Sequence, residues 1–310
     1  MTLRFTKGHG TENDFVLLAD TRGDLELTPD QVRRLADRRA GIGADGVIRL
    51  APTAAVARSG EQVADDVLAT EPQAIWFMDY RNGDGSVAEM CGNGVRVFAA
   101  FAESLGLVDL SAGGELALGT RAGVRRVRKE PDGWYAVDMG PWSLPGGTDA
   151  AASGFDSAVL VAGWPAPRPA LGVDLGNPHT VVALSRPEEL EELDLTRAPA
   201  VEPVPVDGTN VELVVPLGEE EGPDGRPVGR VRMRVHERGV GETRSCGTGA
   251  CAAALAVRTW AAAGVDDPHD VPSTWYVEVP GGEVRVRLLH GGHVELAGPA
   301  ELVFDGELDL

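Results

Sequence analysis

Residues 90–107 read M-C-G-N-G-V-R-V-F-A-A-F-A-E-S-L-G-L, and residues 245–264 read S-C-G-T-G-A-C-A-A-A-L-A-V-R-T-W-A-A-A-G. Each stretch opens with Cys-Gly-x-Gly and continues apolar nearly all round, so each helix has to be buried on every side. The two cysteines, Cys91 and Cys246, lie half the chain length apart, which points to a duplicated architecture. A strand pattern precedes each run, I-W-F-M-D-Y at 75–80 and V-R-M-R-V-H at 231–236. Several short ones follow, at 115–120, 123–129 and 134–139 in the first half and at 275–279, 282–288 and 292–296 in the second. Strands on both sides of one buried helix predict an α+β fold of two pseudo-symmetric domains, each a mostly antiparallel sheet wrapped around its central helix. Regular β-α alternation is absent, which argues against a doubly wound parallel sheet.

The expected boundaries are 1–140 for the domain carrying Cys91 and 156–298 for the domain carrying Cys246, with a Pro/Gly-rich connection at 141–154. A final strand near 300–310 is expected to pack back on the first domain, and the active site to lie between the two. Residues 2–6 and 14–19 read as strands joined by the loop G-H-G-T-E-N, and Thr28 caps a helix over 29–39 with Pro29 at its first position. Residues 51–73, rich in Ala, Asp and Glu, read as a surface insertion without an assigned role.

Composition narrows the function. The 310 residues are 43% hydrophobic and 25% charged, ordinary for a globular protein, and carry a formal charge of −20, the wrong sign for a nucleic-acid surface. No apolar run is long enough to span a bilayer, and the N-terminus has no signal-peptide pattern, so a cytoplasmic protein is expected. Three scattered cysteines make neither a disulfide framework nor a zinc site, and no metal is expected. Lys7 and Lys129 are the only lysines, one near the N-terminus and one in an apparent hairpin tip, and neither suits a pyridoxal-phosphate enzyme.

A helix N-terminus offers unpaired N–H groups and partial positive charge, and flanking glycines let a ligand approach, so each Cys-Gly-x-Gly forms a carboxylate or phosphate cradle. A cysteine there is expected to have its thiol pKa lowered. Two such thiols flanking one carboxylate would invert a stereocentre: one removes the proton beside the carboxylate, and the other delivers a proton to the opposite face. The alternative is a redox protein with a regulatory disulfide, against which stands the lack of a Cys-x-x-Cys. Cys251, five residues into the second helix, reads as core, and Arg96 and Trp260 as packing or surface.

Taken in order, the motifs G-H-G-T-E-N-D-F, G-I-G-A-D-G, R-N-G-D-G-S, M-C-G-N-G-V-R, G-N-P-H, D-G-T-N-V, H-E-R-G-V-G-E-T and S-C-G-T-G-A resemble the diaminopimelate epimerase family over essentially the whole chain. That resemblance implies an isomerase without cofactor, which converts LL-2,6-diaminopimelate to the meso form for lysine and peptidoglycan precursors. It implies a small amino-acid substrate, a homodimer, and neither nucleic-acid nor membrane partners. The same scaffold serving another amino acid is the alternative.

By the resemblance, Cys91 and Cys246 are the acid/base thiols, with His179 and Glu237 counted in the catalytic group. Gly92, Asn93, Gly247 and Thr248 hold the reacting carboxylate, and Asn13 sits near the reacting amino group. Asn82, Asn177, Asn210, Glu237 and Arg238 read the distal end. Gly46 stands where some relatives carry a substrate-contacting Gln.

Overall fold

The computed structural model describes residues 2–309. They divide into two compact units, one formed by the residues up to Asp138 together with those from Ala297 onward, the other by Met139–Leu296.

The first unit contains β1 (Thr2–Gly10), β2 (Asn13–Ala19), α1 (Pro29–Ala36), β3 (Gly46–Pro52), α2 (Thr53–Arg58), α3 (Gln62–Thr70), β4 (Trp76–Asn82), α4 (Gly92–Ser104), β5 (Glu115–Thr120) and β6 (Gly123–Lys129). Strand β7 (Tyr135–Pro141) follows, and the C-terminal strand Glu301–Asp309 pairs antiparallel with β1. From β1 the pairing runs antiparallel to β2, parallel to β3, antiparallel to β4, parallel to β5, then antiparallel to β6 and β7. Helix α4 is buried from Gly92 through Ala102 and packs on β1, β2, β3, β4, β6 and the C-terminal strand.

The second unit contains α5 (Gly147–Ser153), β8 (Ser157–Leu160), β9 (Arg168–Asp174), β10 (Pro178–Ala183), α6 (Pro187–Glu191), β11 (Ala200–Glu202), β12 (Asn210–Glu221), β13 (Pro227–Glu237) and β14 (Gly241–Thr243). Helix α7 (Gly247–Ala262) then leads to β15 (Thr274–Val279), β16 (Gly282–Leu288) and β17 (His293–Gly298), whose last two residues belong to the first unit. Here β9 pairs antiparallel with β10, β10 parallel with β12, β12 antiparallel with β13, β13 parallel with β15, and β15 antiparallel with β16. That is the β1–β6 succession again, with α7 between β13 and β15 as α4 is between β4 and β5. The repeat read from two cysteines is therefore a repeat of strand pairing.

Two parallel pairs in each unit were not foreseen. A helix between two strands brings the chain back in its original direction, and α1, between β2 and β3, does this as α4 does.

Other elements depart from expectation. Helix α1 has the expected Thr28 cap, completed by Gln31 as a capping box, but ends at Ala36. There the Asp37 carboxylate takes the N–H groups of Arg39 and Ala40 at 2.7 and 2.8 Å, which turns the chain. The 51–73 segment is a packed helical pair. Ala55 and Val56 of α2 and Ala64 and Val67 of α3 are buried, and Thr53 Oγ1 donates to Ala74 O at 2.5 Å. Its acidic residues sit on the wet face of α3, which conceals a buried face of small residues.

The G-H-G-T-E-N stretch is a two-residue hairpin turn between β1 and β2. Thr11 and Glu12 both take left-handed backbone, φ 50° and 61°, a costly choice for residues other than glycine. Arg96 of α4, completely buried, lies beneath the turn and donates to Thr11 Oγ1 at 3.4 Å and to Pro299 O at 3.3 Å. A Cβ on Gly10 would come within 3.0 Å of Arg96 Nη2, so the hairpin rests directly on the first turns of α4.

Candidate active site

In the first unit that support brings the start of β2 to the start of α4. Cys91 is the N-cap residue, with extended backbone, and Gly92 and Asn93 form the first turn. The first-turn N–H groups of such a helix have no carbonyl partner within it. The Cys91 thiol donates to Asn13 Oδ1 at 3.4 Å, and buried Asn93 donates to the same oxygen through Nδ2 at 3.3 Å. The other end of the Asn13 amide gives Nδ2 to Asp45 Oδ2 at 2.7 Å. A carboxylate only accepts, so this bond fixes which amide atom faces the sulfur.

Asp45 is held in turn by Arg38 at 2.7 Å, and Arg38 also grips Asp14 through two nitrogens at 2.9 and 2.7 Å. Lys7 pairs with Asp14 at 2.6 Å and donates to Gly43 O. Burial pulls the Asp14 carboxyl upward, yet the hydrogen bonds and charges of Arg38 and Lys7 together hold it far below the usual carboxylate range. Asn82, at the end of β4 opposite Gly46, is tied into its own turn by donation to Ser86 Oγ at 3.0 Å.

The second unit builds its counterpart at the start of α7. Cys246 is again the N-cap, but only 7% exposed, and its sulfur accepts Gly249 N–H at 3.3 Å. Thr248 Oγ1 lies 3.5 Å from that sulfur and accepts from Asn177 Nδ2 at 3.3 Å. The expected lowering of the thiol pKa does not hold for Cys246. Burial first, then the charges of Glu237 and Glu212, push the thiol well up, outweighing the Thr248 and Gly249 hydrogen bonds. A Cβ on Gly249 would meet Glu212 Oε1 at 2.8 Å and Cys246 Sγ at 3.2 Å, which shows how close carboxylate and thiol lie.

His179 and Glu212 form a buried pair, Nδ1 to Oε1 at 2.7 Å, with both side chains completely inaccessible. Their strands are parallel, His179 opposite Asn210, which puts Glu212 one step along the same face. Asn210 accepts Arg238 N–H at 2.9 Å and donates to Pro178 O at 3.1 Å. Exposed Arg238 donates to Asp207 O at 2.9 Å, and Glu237 accepts from Thr243 Oγ1.

Of the residues anticipated from sequence, Asn13, Cys91 and Asn93 meet at the start of α4, and Asn177, Thr248, Cys246 and Glu237 at the start of α7, with His179 joined through Glu212; Arg238 reaches that group through Asn210, and Asn82 stays in its own turn. Asp45, Arg38, Asp14 and Glu212 were not anticipated. The first and third stand inside quoted motifs, G-A-D-G and N-D-F, and Glu212 follows T-N-V directly. Cys251 is completely buried in α7 as core, and Trp260 donates to Gly154 O at 2.7 Å. Among the described residues no group of three or more His, Cys, Asp or Glu could hold a metal ion, and no helix is long and apolar enough to cross a membrane.

The fold that carries these two buried helices is one that solved proteins share. The chain matches a Bacillus anthracis phenazine biosynthesis protein of the PhzF family with a TM-score of 0.61, covering 100% of both chains at 14% identity. It matches a hydroxyproline epimerase from Agrobacterium vitis with a TM-score of 0.60, covering 99% and 92%, again at 14% identity.

Within that fold the chain belongs to the diaminopimelate epimerase family, whose model matches residues 5–145 and 172–303. It is 44% identical to the diaminopimelate epimerase of Thermobifida fusca over 99% of this chain and 98% of that one, and 42% identical to that of Streptomyces coelicolor over 99% and 96%.

Proposed function

We propose that the chain epimerises LL-2,6-diaminopimelate to meso-diaminopimelate, with Cys91 and Cys246 as the two acid/base groups. The observation that carries this reading is the repeated helix start: each unit caps its buried helix with a cysteine followed by Gly-x-Gly. Inversion needs one group to take the α-proton and another to return a proton from the opposite side, and the duplication supplies one thiol per unit.

The substrate α-carboxylate accepts from the first-turn N–H groups at Gly92, Asn93, Gly247 and Thr248, which stabilise the charge that develops on it as the α-proton leaves. Cys246, kept protonated by burial and its two carboxylate neighbours, enters the cycle as a proton donor. Asn13, Asn82, Asn177 and Asn210 position polar groups of the substrate. Arg238 pairs with the distal carboxylate, Glu237 with an ammonium, and His179 supports proton transfer. The chemistry uses no pyridoxal phosphate: Lys7 is engaged by Asp14, and Lys129 by Glu103 at 2.8 Å, which holds Lys129 charged.

A cytoplasmic location belongs to the same reading and is checked by cell fractionation. A homodimer rests on the family likeness alone and is checked by light scattering.

The test is incubation of purified protein with LL-diaminopimelate in deuterated water, without added cofactor, followed by proton NMR. The meso isomer with deuterium at the inverted carbon is expected. Failure to exchange that proton, with exchange into another amino acid instead, would move the reading to a racemase of that amino acid.

A further inference from the structure

Glu212 enters the reading above only as a charge near Cys246, yet it is a completely buried carboxylate 2.7 Å from Nδ1 of a completely buried histidine. Among the described residues, neither Glu212 Oε2 nor His179 Nε2 has a hydrogen-bond partner. In register, Val173 of β9 and Asn210 of β12 lie opposite His179, and Val181 of β10 and Val235 of β13 lie opposite Glu212. The ionisable groups nearby are Cys246 at the start of α7 and, acting on that thiol as Glu212 does, Glu237 at the end of β13.

We propose that Glu212 is a positioning residue that fixes the tautomer of His179, so that Nδ1 always carries a hydrogen and Nε2 is the ring atom that takes up and releases a proton. An ionised carboxylate only accepts, so its contact with Nδ1 requires N–H there. With one proton on the ring, that proton lies on Nδ1 and Nε2 presents a lone pair. When the pair gains a proton it goes to Nε2, giving imidazolium against carboxylate, and the same proton leaves again. The charge balance closes without a second ionisable partner. The consequence for catalysis rests on the proposed role of His179, but the tautomer itself is a property of the free protein.

The experiment is long-range 1H–15N NMR on protein with 15N-labelled histidine and no substrate. The chain has six histidines, and the His179 signals are assigned by their loss in His179→Gln. At high pH the wild type is expected to show a protonated Nδ1 and an unprotonated, downfield Nε2. Glu212→Gln keeps a carbonyl oxygen for Nδ1, so the tautomer should persist. Glu212→Leu should release the ring to the Nε2–H tautomer.

A wild-type ring protonated on Nε2 at high pH overturns the proposal. So does a Glu212→Leu ring that stays protonated on Nδ1, and the wild-type arm stands even if Glu212→Leu does not fold. Diaminopimelate turnover, measured separately, tests the proposed reaction: a correct tautomer with no turnover sinks that reading and leaves this one intact.

Discussion

Burial and two carboxylates make Cys246 an unusual helix-cap cysteine, one held as a thiol. Its reaction with iodoacetamide should therefore stay slow through neutral pH and rise only well above pH ~8.5, where an ordinary thiol has already titrated. Glu237→Gln removes one of the charges responsible and should move that rise to lower pH. A profile unchanged by Glu237→Gln would show that burial and Glu212 set the thiol without Glu237. The sign for stability follows: a raised thiol pKa costs nothing below pH ~8.5, and stability falls as pH rises beyond it.

Serine in place of either cysteine keeps a hydroxyl but loses the accessible pKa, leaving a poor base that still donates. Cys91→Ser and Cys246→Ser should each abolish epimerisation while retaining α-deuterium exchange on one stereoisomer, and a different one in each variant. The same preference in both would mean that one cysteine does all the proton transfer. The cysteines were legible in the sequence because their motif occurs twice. Asp45 and Glu212 were not, since an acid that fixes an amide or an imidazole looks in sequence like any surface acid until the fold shows what it touches.

At the scale of elements, hairpins were read best. Strands 115–120, 123–129 and 282–288 stand where the sequence puts them, because alternating residues between glycine turns leave little freedom of register. The parallel pairs were hidden because nothing local encodes which distant strand a crossover joins. Helices α2 and α3 were hidden because an alanine face resembles loop composition.

The start of α7 offers a sharper test. Gly249→Ala would gain up to about 1 kcal/mol of helix propensity, but the new methyl meets a buried carboxylate oxygen at 2.8 Å, and such overpacking typically costs about 1–3 kcal/mol. A small net destabilisation is expected in thermal melts. The displaced sulfur should cost on the order of 10²-fold in kcat/KM, the usual penalty for a misplacement of about 1 Å. Full activity in that variant would mean that the Cys246 position is not tightly set.

For the whole molecule, net charge hides a local arrangement of opposite sign. Asp79, 1% exposed, takes contacts from Arg49 at 3.0 Å, Arg81 at 3.2 Å and Arg121 at 2.7 Å. Burial works to raise its carboxyl, but the three guanidinium groups prevail and hold it below the usual range. Its contribution is complete above pH ~3.9 and is lost as pH falls below that value. Asp79→Asn should cost about 3–5 kcal/mol in urea unfolding at neutral pH, because it strands buried cations, and should blunt the loss of stability in acid. A variant as stable as wild type would show that the arginines find other partners.

The pairing of Glu301–Asp309 with β1 reaches across nearly the whole chain. Translation makes β1 long before this neighbour, so the β1 edge waits through the synthesis of everything between, about 15–60 s at about 5–20 residues per second. Throughout that interval a row of backbone donors and acceptors is open to any passing strand. Arg4, exposed on the waiting strand, is placed where charge discourages such encounters. The order in which the nascent chain emerges is thus written into the edge strand as a need for protection that the finished fold no longer has.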